Sequence, residues 1–266
     1  MTYGGISNLP SGSSYCCYNM ATESTREIRE NALEIKFEVD PETAARIRQR
    51  ARSLFTADPW AAGPHADEYQ TSTLYFDTED YKVYQRKGSY RRAKHRVRRY
   101  GAADLVFLER KLRTPDLVSK RRTTVRCDDL PLLTAGPHDA KWEGRWFQER
   151  LRLRKLGVVC QVIYRRTARV GMTDYGPFRL TIDEDLRASA TNAPEFHETE
   201  GIRMTEKAIV EMKFRAVMPT LLKQVVEEFA LRPARVSKYR LAIEAARPEV
   251  VASIASEITA AKAPNA

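Results

Sequence analysis

Residues 33–39 read Leu33-Glu34-Ile35-Lys36-Phe37-Glu38-Val39. The alternation is unbroken, so Glu34, Lys36 and Glu38 share one face of a β-strand while Ile35 and Phe37 share the other. Residues 92–99, RAKHRVRR, repeat the period with Lys94, Arg96 and Arg98 on one face. Glu109 pairs with Lys111 in the same way, Arg179 with Thr181 and Asp183, and Glu211 with Lys213. A single polar strand face ordinarily sees water. Five strands that repeat ordered cations and a few carboxylates, four of them over an apolar reverse face, point instead to a shared charged interior. Such an interior needs an anion to neutralise it, because unpaired buried charge is costly.

Working outward, strands are predicted at 33–39, 70–76, 92–99, 104–112, 119–126, 159–168, 177–183 and 207–214. The spacings between them are mostly too short for crossover helices, which predicts antiparallel pairing. A sandwich and a barrel both satisfy this pattern. Asp40-Pro41-Glu42 reads as a helix start, with Asp40 as cap and Pro41 in the first turn of a helix reaching about Phe55. Further helices are predicted at 141–156, from Pro219 to Ala230, and after Ser237-Lys238-Tyr239. Residues 1–30 read as a polar, disordered tail, 31–245 as one domain, and 246–266 as an Ala-rich tail.

The 266 residues carry a net charge of +10, with 42% hydrophobic and 9% aromatic residues, enough to bury a core. Between Arg86 and Arg126 stand 15 Lys and Arg against Asp104, Glu109 and Asp116. This one segment therefore exceeds the excess of the whole chain, and its partner is expected to be polyanionic. Its only aromatics are Tyr90, Tyr100 and Phe107, too few for base stacking, so no nucleic-acid partner is expected. No stretch approaches the roughly 18 apolar residues of a membrane span, and residues 1–30 lack a signal-type apolar run. Cys16, Cys17, Cys127 and Cys160 form no disulfide framework. Together these features predict a cytoplasmic protein. His65, His95, His138 and His197 have no zinc-ligand spacing.

In order along the chain, Glu34-x-Lys36, Leu74-Tyr75-Phe76-Asp77, Lys94-x-Arg96-x-Arg98-x-Tyr100, Leu108-Glu109-x-Lys111, Lys120-Arg121-Arg122, Tyr164-x-Arg166, Arg179-x-Thr181-x-Asp183, Glu211-x-Lys213 and Ser237-Lys238-Tyr239 resemble the VTC domain. This is the polyphosphate polymerase domain of the triphosphate tunnel metalloenzymes, which also include the CYTH-type triphosphatases. The resemblance implies an α+β fold: an eight-stranded antiparallel β-barrel, closed into a triphosphate tunnel, with covering α-helices. It implies transfer of the γ-phosphoryl group of ATP to inorganic polyphosphate. Lys36, Arg96, Arg98 and Lys238 fall in the catalytic set it implies, and Lys94, Lys111, Arg166, Arg179 and Lys213 in the substrate-binding set. Glu211 matches the glutamate that holds a divalent metal, Mn²⁺ or Mg²⁺. The eukaryotic members work beside membrane subunits, which implies a separate membrane partner here. One departure is Ala32, where the CYTH triphosphatases carry the first glutamate of Glu-x-Glu-x-Lys. That favours the polymerase branch, with metal-dependent triphosphate hydrolysis and non-catalytic polyanion binding as alternatives. Glu34 reads as a salt-bridge partner, Glu109 as an orienter of neighbouring cations, Tyr75, Phe76 and Asp77 as structural, and Arg91, His95 and Arg99 as a solvated outer face.

Overall fold

Asp40 caps the first helix as its sequence predicts: its carboxylate accepts from the Thr43 backbone N–H at 2.8 Å, and Pro41 opens α1 (Pro41–Leu54). The structure is a computed structural model and describes residues 25–29, 32–59, 61, 65–113, 118–136, 141–198 and 201–262. Eleven strands form one antiparallel sheet. They are β1 (Thr25–Arg29), β2 (Ala32–Val39), β3 (Thr56–Ala57), β4 (Glu68–Asp77), β5 (Ala93–Tyr100), β6 (Leu105–Arg113), β7 (Val118–Arg126), β8 (Gly157–Thr173), β9 (Gly176–Ala190), β10 (Ile202–Arg203) and β11 (Ala208–Arg215). The helices after α1 are α2 (Arg145–Arg154), α3 (Thr220–Glu228), α4 (Lys238–Ala246) and α5 (Pro248–Lys262). Each of the eight predicted strands has its counterpart. Of the two predicted tails, residues 1–24 lie outside the described residues, 25–29 form β1, and most of the C-terminal one is α5.

The expected closed, eight-stranded barrel is not what forms. The sheet runs β1-β7-β6-β5-β4-β8-β9-β11-β2, with β10 on β9 and β3 on β8, and its two ends do not pair. Both edges that would have to meet are already taken. The β7 edge pairs with β1, and the free side of β2 meets a non-strand segment, through a Phe37–Pro233 bridge and an Ala234 N–H to Lys36 carbonyl bond of 2.7 Å. The sheet nevertheless curls strongly. β6 and β2 are six places apart, roughly 29 Å if the sheet were flat, yet Lys111 Nζ reaches Glu34 Oε2 at 3.1 Å. The result is a deep trough whose slot is crossed by side-chain ion pairs.

Alternation sorts the residues between the two sides of the trough. On the convex side Phe37, Leu180, Ile182, Val210 and Met212 are buried under α1 and α3, against Ala44, Ile47, Leu222 and Val225. Leu74, Phe76, Val97 and Leu108 belong with Phe147 and Leu151 of α2 to a second apolar cluster. Each fully buried large side chain contributes about 1.5–3 kcal/mol, so the helices hold the curl from outside. His95, expected on a solvated face, is 3% exposed, with its ring edge-on to Phe147 at 5.8 Å. α4 instead enters the concave side. Ala242 and Ile243 are buried with Cys160, Val162 and Ala188, whose strand positions face inward, so α4 fills one end of the trough.

Candidate functional site

Cross-strand register builds the site. On the concave face Lys94, Lys111 and Lys120 stand side by side on β5, β6 and β7, and the next row is Arg96, Glu109 and Arg122. Adjacent like charges repel across a sheet. Glu109 is the counter-ion: it is 1% exposed and takes Arg96 Nε at 2.7 Å, Lys120 Nζ at 2.9 Å and Arg122 Nη2 at 2.6 Å. Burial pushes its carboxyl up, but these cations outweigh that and hold it well below the usual carboxylate range. Among the described residues Lys94 has no carboxylate within ion-pair distance; it donates to Ser237 Oγ at 2.9 Å. Desolvation within the trough and the surrounding cations bring Lys94 down to about 8, although its side chain keeps access to solvent, and bring the half-buried Lys120 to about 8 despite Glu109. Arg98 is 6% exposed, and its hydrogen bond to Thr73 Oγ1 is a long 3.4 Å. Arg98 sits over the Tyr100 ring at 6.0 Å; burial pushes that phenol up, but Arg98 and neighbouring arginines bring it down to about 7.

A second group lies across the slot. Glu211 faces Lys36 in register and Lys213 faces Glu34. Lys36 Nζ is 3.2 Å from Glu34 and 3.5 Å from Glu211, while Lys213 pairs closely with Glu211 and more loosely, at 3.9 Å, with Glu34. Burial raises both carboxyls, yet the lysines bring Glu34 to about 2 and Glu211 well below its ordinary value. A third group centres on Asp183, which is fully buried. Arg166 grips it bidentately at 2.6 and 2.8 Å, and Lys238, at the first turn of α4, reaches it at 2.6 Å. Despite its burial, Asp183 falls to about 2.

The structure thus brings Lys36, Lys94, Arg96, Arg98, Lys111, Arg166, Glu211, Lys213 and Lys238 onto one concave surface. Arg179 neighbours Lys213 in register, but its guanidinium is held by Asp58 at 2.5 Å and the Tyr69 hydroxyl at 2.6 Å. Lys120 and Arg122 complete the face and were absent from the site residues predicted from sequence. Their i, i+2 spacing opposite Glu109 is the signal that finds them. Glu109 orients Arg96 and Arg122, and Lys111 belongs to Glu34 instead. Counting Arg179 with Asp58, eleven cations meet five carboxylates (Glu34, Asp58, Glu109, Asp183 and Glu211).

For a divalent ion, the usable donors are the hard carboxylate oxygens of Glu34 and Glu211. Among the described residues no group of three or more His, Cys, Asp or Glu could hold a metal by itself. That donor set fits a Mg²⁺ or Mn²⁺ ion carried mainly by phosphate oxygens and water, which needs only one or two protein carboxylates.

An antiparallel sheet curls around a cation-rich concave face, and a lysine-bearing helix fills one end of it. Residues 31–247 match the VTC domain, and the chain belongs to that family. No similar sequence is found among curated proteins. Solved structures similar to this chain include an adenylate cyclase candidate from Bacillus halodurans (14% identity, 80% of this chain and 95% of that one, TM-score 0.48). The PH1819 protein of Pyrococcus horikoshii (15%, 80% and 98%, 0.42) is also similar. So is HpAC1 of Hippeastrum (13%, 77% and 92%, 0.43), an adenylyl cyclase candidate described as having a dominant triphosphatase activity. Among the described residues no helix is long and apolar enough to cross a membrane.

Proposed function

We propose that the trough binds a linear triphosphate or polyphosphate and transfers the γ-phosphoryl group of ATP to the end of a growing inorganic polyphosphate chain. The observation that carries this reading is the excess of concave-face cations over carboxylates, arrayed in lateral rows. Polyphosphate repeats its charge at each phosphate, and a row of cations matches it better than a single pocket does. In the proposed reaction a terminal chain oxygen attacks the γ-phosphorus, the bond to the β,γ-bridging oxygen breaks, and ADP leaves with that electron pair. The attacking oxygen is already ionised near pH 7, so no general base is required. The protein has to align the two anions and neutralise their charge.

Arg96, Arg98, Lys94 and Lys120 would hold the non-bridging oxygens on one wall, and Lys36, Lys111 and Lys213 those on the other. Lys238 and Arg166, anchored on Asp183, would fix the phosphates at the α4 end. Glu211, with Glu34 beside it, would hold the divalent ion, whose bound charge offsets that of the phosphates. Phosphate oxygens would then draw Lys36 and Lys213 away from these carboxylates.

A second reading is metal-dependent hydrolysis of a triphosphate, favoured by the partial exposure of Lys36, Lys111 and Lys213 along the slot, which gives water access to it. Incubation of the pure protein with ATP and Mn²⁺ separates the two. Long-chain polyphosphate with ADP supports transfer to a chain, whereas ADP and free phosphate alone would leave hydrolysis. The nucleotide, the phosphate chain, a separate membrane subunit and the absence of a nucleic-acid partner all belong to this proposal. Polyphosphate binding far tighter than single-stranded DNA at matched salt is the expected result.

A further inference from the structure

Lys238 comes from α4 and not from the sheet, so something other than the ladder must place it. Beside it, Tyr239 is 2% exposed and donates its hydroxyl in a short bond to Asp77 Oδ2. Asp77 ends β4 and is 1% exposed. Its carboxylate also accepts the backbone N–H groups of Thr78, Val83 and Tyr84 at 2.7–2.8 Å, and thereby knits the turn after β4. The next residue, Arg240, donates to the Tyr84 carbonyl at 3.0 Å. The Tyr239 ring also lies 5.3 Å from Tyr75, which faces Arg96 in register.

We infer that the Asp77–Tyr239 hydrogen bond is a positioning latch for Lys238: it fixes the first turn of α4 against the end of β4, so that the Lys238 ammonium stays in the trough. This rests on the proposed phosphate-binding role of the trough. A buried tyrosine that only fills space needs no ionic acceptor, and an aspartate that only knits a turn is already satisfied by three backbone donors. The bond joins the two, and the residue beside it bears the functional charge. Residues acting through one contact couple non-additively, so the latch and Lys238 should behave as one unit.

The test is tripolyphosphate affinity by calorimetry without metal, in the unaltered protein, Tyr239→Phe, Lys238→Met and the double variant. Tyr239→Phe keeps the ring and removes one hydroxyl. We expect it to weaken binding about 5-fold and Lys238→Met to weaken it on the order of 30-fold. In the double variant Tyr239→Phe should add almost nothing to the effect of Lys238→Met. Val225→Ala, in the α3 cluster far from the latch, serves as a control for lost stability and should leave affinity unchanged. The latch is overturned if Tyr239→Phe leaves affinity intact, or weakens it equally with and without Lys238. No binding by the unaltered protein would instead remove the phosphate site itself, and this role with it.

Discussion

Raising the pH should strip the trough of charge in a range where most proteins are indifferent. Lys94 and Lys120 titrate near 8, brought down by desolvation and by the cations around them. A bound phosphate chain supplies the missing counter-charge, so both should return toward about 10 in the complex. Each is then roughly 90% protonated at pH 7 and 10% at pH 9 in the free protein, a factor of about 10 in affinity apiece. Lys94 is exposed, so solvent screening discounts its share, and metal-free tripolyphosphate affinity is expected to fall by between about 10-fold and about 100-fold from pH 7 to pH 9. At pH 8 binding should take up about one proton, read from the dependence of the calorimetric heat on buffer ionisation. Further ionisation of the ligand raises its charge and opposes the trend, so the decline belongs to the protein. Tyr100, near 7, adds to it in the same direction. Lys94→Arg with Lys120→Arg keeps both charges throughout and should leave only the shallower Tyr100 slope. An affinity that is flat from pH 7 to 9, or falls no less steeply in the double arginine variant, would refute the reasoning.

The same shifts act oppositely on the empty protein. For Lys94, Lys120 and Tyr100 the folded value lies below the unfolded one, so the unfolded chain holds more protons between about pH 7 and 10. These groups should therefore make the ligand-free fold more stable to urea as pH rises through that window. Glu109→Gln leaves Arg96, Lys120 and Arg122 without their shared counter-ion. It should cost about 3–5 kcal/mol in urea unfolding, and added polyphosphate should restore more of that stability than it adds to the unaltered protein. Glu211→Gln frees Lys36 and Lys213 and should bind metal-free tripolyphosphate at least as tightly as the unaltered protein. Its Mn²⁺-dependent turnover should drop on the order of 100-fold, and undiminished turnover at saturating Mn²⁺ would remove Glu211 from the metal.

Local features were legible in the sequence because they follow from short-range rules. The 33–39 alternation gives β2, Asp40-Pro41 gives the start of α1, and the i, i+2 charged residues fall on one face of β5, β6 and β11 as the period requires. What escaped depends on contacts distant in sequence. Closure fails because Pro233 and Ala234, in a stretch without strand pattern, take the β2 edge, and because Thr25–Arg29, within a polar run, takes the β7 edge. The place of His95 depends on where Phe147 of α2 lands, which its own strand does not specify. Arg179 carries the spacing of a phosphate ligand but meets Asp58, 121 positions earlier in the chain. Asp77 reads as a strand-end residue until α4 brings Tyr239 to it.

Phosphate chains should bind the concave face of the sheet and no other surface. A crystal structure of the protein with tripolyphosphate and Mn²⁺ tests this directly. An anion should lie along the trough between Arg96 and Arg98 on one wall and Lys36 and Lys213 on the other. Its end should be within reach of Lys238, with the ion on Glu211. Tripolyphosphate seated on the outer face of the sheet, with Glu109, Asp183 and Glu211 keeping all their present partners, would contradict it.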